Sequence, residues 1–278
     1  MVADPERFYR ALRDEAPIKY YPEYDTYFIS RFQDVWDVLR IADNTFVATE
    51  TNQPTPQYLR THHNVGAPPF VSTNPMSAGS ALPSPWYEAM RQAHIAPFRP
   101  SNVNALKDFI QTTVDKRIDE VIAMGRFDLI ADFAGRVNAT VVCHLFGIDT
   151  ARAGELFKLV GQVTSVDPQK GGVDFRTFAG RLKDTIVVPL HARRVAGADG
   201  GNALLDGLVN YRMPDGRSLS DDEIVNQLFC VFIAGMESAS KVTATGLMEL
   251  WSRPDQLAAV RADIETNLPI AVNEMVRF

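Results

Sequence analysis

At 278 residues, 46% hydrophobic and 22% charged, the chain has the composition of a folded protein with a large apolar interior, which excludes disorder and collagen-like structure. Twenty-eight Lys and Arg against thirty-four Asp and Glu leave a net charge of −6 with no basic run, so nucleic acid is not an expected partner. Cys143 and Cys230 lack the spacing of a zinc site or redox pair, no apolar run approaches the ~20 residues of a membrane span, and charges at Asp4, Glu6 and Arg7 interrupt any secretory segment. A cytoplasmic protein without a membrane anchor is expected.

In chain order, a short helical opening precedes residues 18–30, whose aromatic and β-branched residues surround a Pro/Asp turn and predict a β-hairpin. Residues 53–85, rich in Pro, Ser, Thr, Asn and Gly, read as a lid or binding loop. From Ser101, the residues Val103, Leu106, Phe109, Ile110, Val114, Ile118, Val121 and Ile122 repeat at helical spacing, and Gly125 ends that helix. A largely apolar helix over 129–146 is closed by Gly147. Further helices are expected over 151–163, 175–194 and 203–211, before a turn at 213–217.

Ser220-Asp-Asp-Glu223 has the form of a capping box, and the helix it opens can run to about Ser252, where Arg253-Pro254 discourages continuation. Such a helix spans a whole domain and is expected to be central. Its apolar middle, residues 228–235, turns abruptly polar at Glu237, Ser238, Ser240 and Lys241. Pro269 suits the start of a last helix through Val272, Met275 and Val276.

Glu237 and Ser238 place an acid beside a hydroxyl, a pair able to relay protons into a site closed to bulk water. Gly235 beside them has two readings on spacing alone: close approach of a flat ligand, or close packing of helices. Glu274 and Arg277, three apart on the last helix, can form an ion pair. Tyr87 and Arg91, four apart, offer a phenol and a guanidinium to an anion. His94 reads as structural, and adjacent His62-His63 lacks the carboxylates of a zinc site. Gly-x-Ser-x-Gly, a phosphate-cradling Gly-Lys-Ser/Thr loop and Gly-x-Gly-x-x-Gly are all absent, which leaves hydrolase, kinase-like and dinucleotide-binding readings without support.

Together these segments resemble the cytochrome P450 family of haem-thiolate monooxygenases over essentially the whole chain. Ala234-Gly235-Met236-Glu237-Ser238 is similar to the family's central-helix motif Ala/Gly-Gly-x-Asp/Glu-Thr, with Ser238 in place of the usual Thr. Glu274-Met-Val-Arg277 matches Glu-x-x-Arg, and Tyr87 to Pro100 resembles the His-x-x-x-Arg stretch, with Tyr87 where His is common. The opening from Asp4 to Arg13, residues 34–39 and residues 127–133 also match in order.

The resemblance implies a mainly α, cytochrome P450-like fold with a small N-terminal β-hairpin, a single partial domain over residues 1–278 lacking the proximal C-terminal part. It implies haem b as cofactor, dioxygen and a small apolar organic substrate as reactants, and a ferredoxin or other reductase as electron donor. By the same resemblance, Glu237 and Ser238 deliver protons, Tyr87 and Arg91 bind haem propionates, and Ala234 and Gly235 form the distal surface. Glu274 and Arg277 would belong to a buried supporting network. The family's Phe-x-x-Gly-x-x-x-Cys-x-Gly loop, which supplies the iron thiolate, is not among these 278 residues, and neither Cys143 nor Cys230 has its context. The expectation is an enzyme when complete, inactive as this chain alone; the alternative is a haem-free, P450-like binding or interaction protein, or the product of a decayed gene.

Overall fold

In the computed structural model, residues 5–22, 26–41, 86–164, 180–181, 183–185, 203–213 and 216–277 are described. The expected loop at 53–85, most of the expected helix at 175–194 and His62-His63 lie outside them. Among the described residues the chain is mostly helical, with one small sheet, and it divides into two compact units, Met1–Glu88 and Ala89–Phe278.

In the first unit, helix α1 (Pro5–Glu15) precedes strands β1 (Ile18–Tyr21) and β2 (Thr26–Ile29), followed by helix α2 (Phe32–Arg40). The strands pair antiparallel, with Ile18 opposite Ile29 and Tyr20 opposite Tyr27, whose rings lie 4.8 Å apart. This is the hairpin expected from the aromatic and β-branched run: alternate side chains meet across the ladder and supply its packing. Ser30 ties the end of β2 to the Pro17 carbonyl through its amide at 2.9 Å and its hydroxyl at 3.1 Å.

Helix α3 (Trp86–Ile95) leads into a 3₁₀ turn (Ala96–Phe98), then α4 (Pro100–Ala105) and α5 (Lys107–Ile122). The single helix expected from Ser101 is thus divided at Leu106, and its apolar repeat is only partly covered: Val121 is buried while Val103 and Ile122 are exposed. A turn of π-helix (Leu129–Ala134), capped by Asp128 accepting from the amides of Ile130 and Ala131 at 2.8 Å each, opens α6 (Gly135–Leu145). Gly125 and Gly147 end their helices at φ +70° and +66°, a region costly for residues with a Cβ, and the Ile148 amide then donates to the Cys143 carbonyl at 2.9 Å. Another 3₁₀ turn (Thr150–Arg152) precedes α7 (Ala153–Thr164), and α8 (Ala203–Val209) follows later.

The central helix α9 (Asp221–Trp251) has 31 residues, about 45 Å at the α-helical rise. Its start is the expected capping box. The Ser220 hydroxyl accepts from the Glu223 amide at 3.2 Å, and the Glu223 carboxylate accepts from the Ser220 amide at 2.8 Å. At its other end Arg253 donates to the Glu249 carbonyl at 2.9 Å, a cation where the helix dipole is negative. Helix α9 packs on α6, α7 and the π turn, with Val225, Leu228, Phe232, Met236, Ser240 and Ala244 forming its buried stripe. Phe232 meets Phe146 edge-to-face at 5.2 Å in a core shared with Leu156, Leu159 and Val160.

Two further helices follow, α10 (Pro254–Ala262) and α11 (Ile264–Arg277). Pro254 opens α10, where its missing N–H costs nothing. The expected start at Pro269 is corrected: α11 begins at Ile264 and Pro269 lies inside it. The stronger start signal is Asp263, whose carboxylate accepts from the Thr266 amide at 3.1 Å and satisfies a first-turn donor. Met275 seats against Gly246 of α9, leaving Ile264, Ile270 and Val276 exposed.

Candidate functional site

The site builds on a change of character along α9. Residues on one face of an α-helix recur every three or four positions, and Ala234, Ser238, Lys241, Thr245 and Met248 do so, all exposed. Roughly opposite lies the buried stripe of Phe232, Met236 and Ser240. At Ala234 and Ser238 the exposed face carries only small side chains, so it offers a flat surface beside an acid.

Gly235 points differently. A Cβ built on it would lie 3.2 Å from Val142 Cγ2 of α6, tight enough that Val142 would have to yield. Close helix packing, one of the two readings open from sequence, therefore accounts for this glycine. Asn138, one turn before Val142 on α6, donates from Nδ2 to the Gly235 carbonyl at 2.6 Å. The sequence reading missed Asn138; its signal is a lone amide in a largely apolar helix, a residue type that competes for backbone partners.

The Ser238 hydroxyl donates to the Ala234 carbonyl at 2.7 Å, and the buried Ser240 hydroxyl donates to the Glu237 carbonyl at 2.9 Å. Glu237, half-buried, accepts from the ammonium of Lys241 one turn on. The Glu237 side chain leaves the helix about 100° from that of Ser238 and so borders the exposed face on which Ser238 lies. With its proton on a carbonyl, Ser238 presents free lone pairs outward and can accept a proton before passing on its own.

Arg91 is exposed on α3, next to Met90, which is 1% exposed. Tyr87 lies on the same helix, and its side chain is outside the described residues. Burial lowers the pKa of His94, whose Nε2 bonds to no described residue, so neutral imidazole is favoured there.

Glu274 and Arg277 form the expected pair, with Nε to Oε2 at 2.8 Å, and the Arg277 hydrogen bond lowers the carboxyl pKa. The two side chains are 53% and 67% exposed, unlike the buried network that the resemblance implies. Cys143 is fully buried, and burial pushes its thiol up to about 12, which keeps it protonated and unsuited to bind iron as a thiolate. The Cys230 side chain is outside the described residues. Among the described residues no three His, Cys, Asp or Glu converge to hold a metal ion, and no helix is long and apolar enough to cross a membrane.

The described residues place a long central helix, packed on α6, α7 and the π turn, at the middle of a mostly helical fold. Comparison with known proteins gives its class. The profile of the family described as Cytochrome P450 matches residues 144–274. The chain is 32% identical over 197 residues to the cytochrome P450 monooxygenase PikC of Streptomyces venezuelae, covering 70% of this chain and 45% of that protein. It is 26% identical over 282 residues to a putative cytochrome P450 123 of Mycobacterium tuberculosis, covering 99% of this chain and 65% of that relative. Its fold matches that of Mycobacterium marinum cytochrome P450 CYP268A2, solved in complex with pseudoionone, with TM-score 0.80 and 20% identity over 100% of this chain and 67% of that one. The chain thus spans between about half and two thirds of the length of these relatives, and it is a cytochrome P450-like protein similar to bacterial members of that family.

Proposed function

We propose that this chain forms the larger part of a haem-thiolate monooxygenase that inserts one oxygen atom from dioxygen into a small apolar substrate. The observation that carries the reading is the exposed face of α9 at Ala234 and Ser238, opposite the helix's buried stripe and flanked by Glu237. In this reading haem b lies against that face, with its thiolate supplied from outside these 278 residues. When bound, the haem supplies the oxygen-activating redox chemistry.

The chain's own residues then have limited roles. Ala234 leaves room for the ring. Ser238 accepts a proton at Oγ and donates its own, aided by a side chain freer to rotate than the β-branched Thr common in the family. Glu237, reaching solvent beside Lys241, recharges it. Arg91 and Tyr87 answer the haem propionates, since a guanidinium and a phenol both donate to carboxylates. Glu274 and Arg277 support the proximal side, and the working protein is one P450-like domain. A ferredoxin or other reductase in the cytoplasm supplies electrons.

The test is a haem titration of the chain followed by Soret absorption, with Ala234→Phe as the comparison. The ring is expected to bind wild type and to bind the variant at least tenfold more weakly, with unchanged helix content by circular dichroism. Equal binding by both would remove the face from the site, and no binding by either would leave the haem-free scaffold as the better reading.

A further inference from the structure

Outside the residues already given roles, one polar group grips the candidate site from another element. Asn138 Nδ2 reaches the Gly235 carbonyl at 2.6 Å across 97 positions of sequence. In the continuous helix α9 that carbonyl also accepts from the amide of Ala239, so it serves two donors. Ala234 and Glu237 likewise carry second donors, the hydroxyls of Ser238 and Ser240, but those come from α9 itself. The bond from Asn138 instead ties this turn to α6, so opening of the turn requires the tertiary bond to break as well.

One turn beyond Asn138, Val142 fills the space left by the missing Gly235 side chain. The turn carrying Glu237 and Ser238 is therefore held at two points on α6, a directional bond at Asn138 and a steric stop at Val142. A leucine at 138 would fill similar volume without the desolvation that a part-buried amide incurs, so packing alone does not explain the amide. We infer that Asn138 is a positioning residue: by holding the Gly235 carbonyl, it sets the place of Glu237 and Ser238 against α6. Its role in proton delivery rests on the monooxygenase reading; the clamp itself does not.

The test combines amide hydrogen exchange and the Gly235 carbonyl carbon resonance in the full chain, comparing wild type with Asn138→Leu and Asn138→Asp. Both variants remove the donor, and the second sets an acceptor against the carbonyl. The expected result is about tenfold faster exchange at residues 238–240 with residues 224–228 unchanged, together with a shift of the Gly235 resonance. Equal acceleration at both segments would reduce Asn138 to a packing residue, and no change at either would overturn the clamp. If Asn138→Leu fails to fold, Asn138→Asp, close to Asn in volume, decides. In the intact enzyme, with its thiolate loop, the ratio of electrons consumed to product formed should rise in the variants, whereas an unchanged ratio would overturn the positioning role. Exchange and resonance are read without haem, so a wild type that takes up no haem would refute the monooxygenase reading while leaving the clamp decided on its own data.

Discussion

Glu223 anchors the start of the helix that carries the site, and removing its charge should show in stability. Its side chain is 6% exposed and accepts from Arg217 Nη1 and Nη2 at 2.8 and 2.9 Å and from the Ser220 amide at 2.8 Å. The Arg217 guanidinium, ahead of the Ser220 donors, holds the carboxyl at about 2 against its ordinary 4.5. A carboxyl lowered from 4.5 to about 2 corresponds to about 3.5 kcal/mol. Arg217 is 45% exposed and partly screened by water, so this figure is a ceiling. Glu223→Ala, which loses cap and ion pair together, is expected to cost about 2 kcal/mol at pH 7, roughly 4–8 °C in melting temperature. Because the folded pKa is depressed, the stabilisation is complete above about pH 4.5 and disappears as pH falls towards 2. Thermal unfolding followed by circular dichroism should therefore show wild type and variant converging over that window. Glu223→Gln, which keeps an oxygen for Ser220 but loses the charge, should fall between them. A pH-independent difference, or a shift below about 1 °C at pH 7, would refute the role of Glu223 as anchor of the helix start.

Ser238→Ala in the intact enzyme, with its thiolate loop, should let electron consumption outrun product formation, measured as the ratio of the two; unchanged coupling would remove Ser238 from proton delivery. A Cβ at position 246 would overlap Met275, 2.7 Å from its Cβ, so Gly246→Ala should expose α11 to limited proteolysis and Gly246→Ala/Met275→Ala should restore protection. Burial lowers the His94 pKa, so its neutral form favours folding above about pH 6.5 and that contribution is lost as pH falls; His94→Phe should flatten the acid side of the stability profile. Glu274→Ala should leave the unfolding midpoint of this chain unchanged, because the pair is exposed.

What could be read from sequence was what short-range chemistry decides. The Ser220–Glu223 box, the hairpin and the terminators Gly125 and Gly147 are local devices whose donors and dihedrals come from adjacent residues. Pro269 misled because an earlier cap, Asp263, outweighed it, and a proline can sit within a helix when the start is fixed upstream. At the site, the pairing of Glu237 with Ser238 was visible, but the direction of Gly235 was not. That direction depends on Val142 and Asn138, nearly a hundred residues away, and helical spacing contains no information about which face a distant helix will occupy. Glu274 and Arg277 were found as a pair by spacing, whereas their exposure depends on what packs around α11.

The central claim is that a haem lies on the Ala234–Ser238 face of α9. Its most direct test is paramagnetic broadening of assigned amide resonances on adding ferric haem to the chain, with a diamagnetic haem analogue as reference. The account predicts strongest broadening at Ala234, Ser238 and Lys241, with weaker effects at Leu228 and Val225 on the buried side. Broadening centred on another element, or spread evenly over the chain, would contradict it.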